Sequence, residues 1–169
     1  MNRGQGAALQ TGLAYAKQND ADLAVTFDSD GQHNAKDVST LIEPIVNGDY
    51  DVVLASRFLP GASTIHMPMG RKTILKAGVF FTRITSRIHV TDVHNGLRAF
   101  SRRAIQEIRM QLDDMAHASE VYDEIYHNHL SYTEVPCQIR YTDYTKKRGQ
   151  RSRAALRIGL RFLLSKLRL

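Results

Sequence analysis

Residues 23–33, LAVTFDSDGQH, constrain the fold more than any other stretch of this chain. Leu23, Ala24, Val25 and Phe27 predict a short buried strand, and nothing after Asp28 continues it. Asp28 and Asp30, two residues apart, point to the same side of an extended chain. Two like charges at one strand end need water, a cation or a proton to compensate them. A strand that stops this way inside an apolar layer marks a candidate place for a ligand.

The neighbouring pattern sets the architecture. Helical spacing of Leu9, Leu13 and Ala16 predicts a helix over 7–19. A second helix follows over 34–48, entered through Asn34 as its cap and closed at Asn47-Gly48. Residues 52–55 form another buried strand, which also stops in polar residues, Ser56-Arg57. Residues 59–70 show no period. Helices are expected over 72–87, 101–109 and 118–128, and YTEVPCQIRY alternates as a strand with Val135, Cys137, Ile139 and Tyr141 on one face. Strand–helix alternation in the first half predicts an α/β fold with a mostly parallel sheet flanked by helices. Ligands of such sheets bind beyond the carboxyl ends of the strands. Both polar stops fall there.

Composition bounds the class. A chain of 169 residues, 43% hydrophobic and 24% charged, suits one soluble-type domain with a sizeable core. Its single cysteine, Cys137, excludes an internal disulfide and suits a reducing compartment. No apolar run approaches the length of a membrane span. The net charge of +6 is unevenly placed: residues 146–169 hold nine Lys or Arg and no acid, leaving 14 basic and 17 acidic groups elsewhere, a balance of −3. The basic tail therefore needs its own explanation, and no specific nucleic-acid partner follows from the charge. Leu156, Leu160, Leu163, Leu164 and Leu167 share one helical stripe there, and Arg153, Arg157 and Arg161 another. Such a basic amphipathic helix makes a peripheral contact with an anionic membrane or packs on the domain with its cations in water.

Asp28-Ser29-Asp30 admits several chemistries. A calcium loop requires an acid at its twelfth position, which is Ser39 here. A haloacid-dehalogenase-type phosphatase shares D-x-D-G after a strand, but the residue after the glycine is Gln32 and the later paired acids, Asp113-Asp114, stand in no strand. A solvated acidic turn and a metal–diphosphate site remain. Six of the seven histidines, at 33, 66, 89, 117, 127 and 129, show no metal-ligand spacing.

Five segments in order resemble family 2 glycosyltransferases, specifically the dolichyl- or polyprenyl-phosphate mannose synthase-like group. NRGQGAALQTGLAYA resembles that group's N-x-G-x-G-x-A helix start, DSDGQH its D-A-D-x-Q-H metal motif, and LASRF its G-S-R-[FY]. TDVHNGLRAFSRRA resembles D-x-x-[ST]-G-F-R-x-[FY], and YTEVPCQIRYTDYTKKRGQ the E-V-P-[IV] strand with its basic loop. The resemblance implies a GT-A-like (Rossmann-like) domain over 1–145, followed by a basic amphipathic tail over 146–169. It implies a metal-dependent inverting transfer from a nucleotide-sugar donor to a polyprenyl-phosphate or glycan acceptor. Asp28, Asp30 and Gln32 would hold Mg2+ or Mn2+ on the donor diphosphate. Arg57 would pair with the acceptor phosphate, assisted by Arg71, unless it serves as an internal ion pair. Glu120 would orient substrate hydroxyls or a loop. Asp92 and Arg98 would wall the acceptor or pair with each other. The expected location is the cytoplasmic face of a membrane.

Departures from the family pattern are Asn95-Gly96-Leu97 with His94 before it, and Gln150-Arg151-Ser152 after the basic loop. The family's leading strand and V-D-D-G-S segment, which hold base and ribose, would precede Asn2. The domain is therefore expected to be partial, weakly active alone, and prone to homo-oligomerise through an uncovered strand edge. The competing reading is a non-catalytic membrane- or nucleic-acid-associated module acting through the tail.

Overall fold

A computed structural model describes residues 4–65, 67, 69–111 and 117–141. The basic tail, with Arg153, Arg157 and Arg161, lies outside the described residues, as do the Asp113-Asp114 pair and the side chain of Arg71.

The elements run α1 (Gln5–Gln18), β1 (Leu23–Thr26), α2 (Asp37–Val46), β2 (Val52–Ser56), β3 (Ser63–Ile65), α3 (Met69–Ser86), β4 (Arg98–Ser101), α4 (Arg102–Glu107), α5 (His117–His127), β5 (Tyr132–Pro136) and β6 (Gln138–Arg140). The main sheet has the order β1-β4-β2-β5, and β3 and β6 form a second, two-stranded sheet. β1, β2 and β5 run one way; β4 runs opposite, pairing antiparallel with both β1 and β2. The α/β architecture is as the sequence predicts, with one reversed strand set into it.

β2 is buried on both faces, as the unbroken run VVLAS requires. Its alternate side chains feed two cores. Val52 and Leu54 join Leu13, Val79, Phe100, Ile105, Val121 and Tyr122, from α1, α3, β4, α4 and α5. Val53 and Ala55 join Leu41, Leu97, Ala99, Cys137, Ile139 and Tyr141, beneath α2 and β6. β1 has β4 as its hydrogen-bonded neighbour and stands at the sheet's edge, and its four residues are all partly exposed.

Three local expectations are corrected. β4 falls where the sequence shows only a helix beginning at Ser101; Ser101 instead ends the strand and caps α4, its hydroxyl accepting from the Ala104 amide at 3.2 Å. YTEVPCQIRY is not one strand. Pro136 has no N–H to continue the ladder, and after it the chain leaves the main sheet to pair with β3. The predicted alternation survives, because Cys137, Ile139 and Tyr141 are all buried. Asn34 is not the cap of α2; its side chain accepts from the Lys36 amide in a turn before the helix.

Cys137 shows what this second core does to chemistry. Its thiol is 2% exposed and accepts from Asn95 Nδ2 at 3.1 Å. Burial pushes it up to about 11. The thiolate is the reactive form, so the native protein at pH 8 is expected to resist an aromatic disulfide reagent. One equivalent should react after unfolding in guanidinium; rapid titration of the native chain would show that this core opens readily.

Candidate active site

Reversal of β4 decides where the site lies. Because β4 runs opposite to its neighbours, its approach, residues 91–97, arrives at the carboxyl ends of β1, β2 and β5. Four segments distant in sequence therefore meet at one end of the sheet.

The acidic turn follows β1. Gly31 adopts φ 77°, a conformation that a side chain would strain, and it lets the chain reverse. Asp30 is exposed and its Oδ1 accepts from the Gln32 amide at 3.0 Å. Gln32 and His33 then meet β6: Arg140 N donates to Gln32 O at 3.0 Å, and His33 bridges Ile139. The turn is thus anchored at both ends.

Asp28 is the centre of this cluster. Gln5 Nε2, at the start of α1, donates to its Oδ1 at 2.9 Å. His33 Nε2 lies 3.7 Å from Oδ2, with the His33 side chain 3% exposed and its Nδ1 without a hydrogen-bond partner. Gly96 closes the other side. A Cβ there would fall 2.3 Å from Asp28 Oδ2, so any side chain would push the Asp28 carboxylate out of its present position. Thr26 Oγ1 donates to Gly96 O at 2.6 Å and fixes that approach. A small apolar opening beside Asp28, about 60 Å³, is lined by Leu9, Phe100, Val121, His94 and Arg98.

Among the described residues no group of three or more His, Cys, Asp or Glu is gathered to hold a metal on protein ligands alone. The hard-oxygen donors Asp28 and Asp30, and the side-chain-free cradle at Gly96, fit a divalent cation that shares its ligands with substrate phosphates.

A second cluster fixes the 91–97 loop. Arg57 Nε and Nη2 donate to Asp92 Oδ2 and Oδ1 at 2.6 and 2.7 Å, and its backbone N–H reaches Oδ2 at 3.1 Å. Arg57 Nη1 donates to Tyr141 Oη at 2.9 Å. Both members of the pair are buried. Burial pushes the Asp92 carboxyl up, but the Arg57 guanidinium more than offsets this and holds it below the usual carboxylate range. Burial likewise pulls Arg57 down, and Asp92 followed by Tyr141 brings it above its ordinary value. Glu134 on β5 accepts from the amides of Thr91 and Asp92 and from the Thr91 hydroxyl. Its own carboxyl is raised, because burial outweighs those donors.

The predicted residues therefore divide. Asp28, Asp30 and Gln32 share one turn. Arg57, expected at an acceptor phosphate, has its fork filled by Asp92, which is the ion-pair alternative. Asp92 does not pair with Arg98. Arg98 instead donates to Asn95 O and lies over the Tyr122 ring, 5.3 Å from its centre. Glu120 holds a loop, its Oε1 accepting from the Gln111 amide at 2.7 Å. Arg71 is placed only as part of α3. His33, Glu134 and Tyr141 were not singled out by sequence. Glu134 and Tyr141 lie in the same alternating segment as Cys137, and no local spacing marks their partners.

Residues 1–109 match the family model described as glycosyl transferase family 2. The chain is 36% identical over 168 residues to a UDP-N-acetylglucosamine–dolichyl-phosphate N-acetylglucosaminyltransferase of Methanococcus voltae, covering 98% of this chain and 67% of that protein. It is 32% identical to an uncharacterized protein of Methanocaldococcus jannaschii, over 99% of this chain and 70% of the relative. An undecaprenyl-phosphate mannosyltransferase of Micrococcus luteus is 30% identical over 62% of this chain and 42% of its own length. The match spans α1 through α4, and with it the acidic turn, Arg57 and the Gly96 cradle; the chain belongs to glycosyl transferase family 2 and is a glycosyltransferase.

Proposed function

We propose that this chain transfers a sugar from a nucleotide-sugar donor to a polyprenyl phosphate, with inversion, and with Mg2+ or Mn2+ held by Asp28, Asp30 and Gln32. The bound cation would offset the negative charge left on the departing nucleoside diphosphate. An acceptor phosphate oxygen forms the new bond to the anomeric carbon. The bond to the donor diphosphate breaks, and its electron pair leaves with the nucleoside diphosphate. A phosphate acceptor is already ionised at neutral pH and needs no strong general base. That suits a site whose Glu120 is engaged with a backbone amide.

The chain's own residues position the reactants. Gly96 admits the Asp28 carboxylate to the cradle. Arg57 holds the loop over 91–94 through Asp92, Glu120 holds Gln111, and Glu124 holds Arg109. Arg71 is assigned to the acceptor phosphate. The relative from Methanococcus voltae makes UDP-N-acetylglucosamine the first donor to test. The close fit of Gly96 against Asp28 carries this reading, since a merely solvated acidic turn needs no cradle.

The test is calorimetric titration of UDP and UDP-N-acetylglucosamine with and without manganese. Manganese-dependent binding is expected in the native chain. Asp30→Ala should weaken it at least about tenfold, as lost support of a metal site does. Asp30 is exposed, so the unfolding temperature should change little. Unchanged affinity in Asp30→Ala defeats the metal assignment.

A further inference from the structure

Arg98 is a buried cation with most of its hydrogen-bonding capacity unused. It is 4% exposed, donates from Nε to Asn95 O at 3.1 Å, and lies over the Tyr122 ring. Among the described residues Nη1 and Nη2 meet no acceptor, and no carboxylate stands within ion-pair distance of the guanidinium. Neither nitrogen is sealed inside the protein. Arg98 lines the opening beside Asp28, whose walls include Leu9, Leu13, Phe100 and Val121. Donors buried this deeply are normally satisfied. A free donor fork at one wall of an apolar opening is therefore matched to a group that enters it.

We propose that this opening receives the acetamido group of an N-acetylhexosamine donor, with the Arg98 fork donating to the acetamido carbonyl oxygen and the apolar walls taking its methyl group. The inference rests on the transferase reading proposed above and names the feature of the donor that the site selects. Size, polarity and charge choose the group. The opening, about 60 Å³, exceeds the about 30 Å³ of one water, so the hydroxyl of a plain hexose would leave it partly empty. Its apolar walls suit a methyl group, with one placed donor to fix orientation. Asp28 shares the rim, so a phosphate or carboxylate entering there would meet a like charge as well as the guanidinium. A neutral carbonyl takes the charge-assisted hydrogen bond without that repulsion.

The fork is set before any donor arrives. The bond from Nε to Asn95 O ties Arg98 to the loop that carries Gly96, and Tyr122 supports the guanidinium from α5. Little side-chain freedom is then lost on binding. The turn assigned to the donor diphosphate borders the same opening through Asp28. A sugar joined to that diphosphate reaches both, and its acetamido group, one carbon from the anomeric centre, is the substituent nearest the turn.

The test is calorimetric titration of the full chain, in manganese, with UDP, UDP-glucose, UDP-glucosamine and UDP-N-acetylglucosamine. UDP-N-acetylglucosamine should bind at least about tenfold more tightly than UDP-glucose, the discrimination that one hydrogen bond from a charged donor supplies. UDP-glucosamine, whose ammonium would face the guanidinium, should bind no better than UDP-glucose. Arg98→Gln should bring UDP-N-acetylglucosamine and UDP-glucose within about threefold of each other. Ala118→Leu, which puts a larger side chain into the opening from α5 and leaves Arg98 in place, should weaken UDP-N-acetylglucosamine and spare UDP-glucose. Equal, manganese-dependent affinities for the two sugars in the native chain overturn the subsite and leave the transferase reading standing. A loss of UDP affinity in Arg98→Gln as large as the loss of UDP-N-acetylglucosamine affinity makes Arg98 a phosphate ligand and also overturns it. Binding of none of the four overturns the donor reading, and the subsite with it.

Discussion

Asp92→Ala should lower the unfolding free energy by about 3–5 kcal/mol, because it leaves the buried Arg57 guanidinium without its counter-charge. Arg57 would keep only its bond to Tyr141, and the loop over 91–94 would lose the carboxylate that ties it to β2. Urea unfolding measures the change. Acid titration separates the ion pair from mere packing. The folded Asp92 carboxyl titrates below its unfolded value of about 3.9, so between those two pH values the unfolded chain binds the extra proton. The pair's contribution is complete above the unfolded value and is lost as pH falls through the folded one. Asp92→Asn should therefore be less stable at neutral pH and lose stability less steeply in acid. A variant within about 1 kcal/mol of the native chain, the scale of an exposed pair, would show that the pair is hydrated in solution.

The second large effect is expected on activity. Gly96→Ala places a methyl group 2.3 Å from Asp28 Oδ2 and 2.8 Å from its Cγ, so the carboxylate must move. Backbone strain is not the issue, since Gly96 is not among the glycines with positive φ. The Asp28 side chain is 37% exposed and has room to swing outward, so the fold should survive. Affinity for the cation–diphosphate pair should fall about 10–100-fold, as when the support of a metal ligand is lost. Asp28→Ala should cost as much or more. The double variant is the sharper measurement: once Asp28 is truncated, Gly96→Ala should cost almost nothing further, because the two act through one contact. Additive losses in labelled-sugar transfer to dolichyl phosphate would mean that Gly96 acts by some other route.

β1 and β2 were legible because each is an apolar run that ends in charge, and the ends are where the site lies. The acidic turn was legible as well, since Asp28, Asp30 and Gln32 are neighbours in sequence. β4 was not. Its four residues include Arg98, which is buried by lying on Tyr122 rather than by being apolar, so no alternating pattern announces the strand. The Arg57–Asp92 pair joins residues 35 apart, and Glu134 reaches Thr91 from 43 away. Neither link has a local signature. The resemblance to a family placed Asp92 near the acceptor but could not say which arginine it would hold. His33 shows no metal-ligand spacing in sequence, and its burial comes from the way the turn folds back to β6.

The strand order also governs when the site can exist during folding. β1 and β2 are separated by a gap one strand wide, and β4, the later segment in the chain, fills it. The sheet cannot zip in sequence order; β1 and β2 must wait about 9–10 Å apart for a segment that arrives more than forty residues after β2. Gly96 rides in on that same segment, two residues ahead of β4. Contact between Gly96 and Asp28 is therefore made in the step that closes the sheet. A half-assembled chain would have the acidic turn but not the cradle, so cation–diphosphate binding followed in time during refolding would report the arrival of β4.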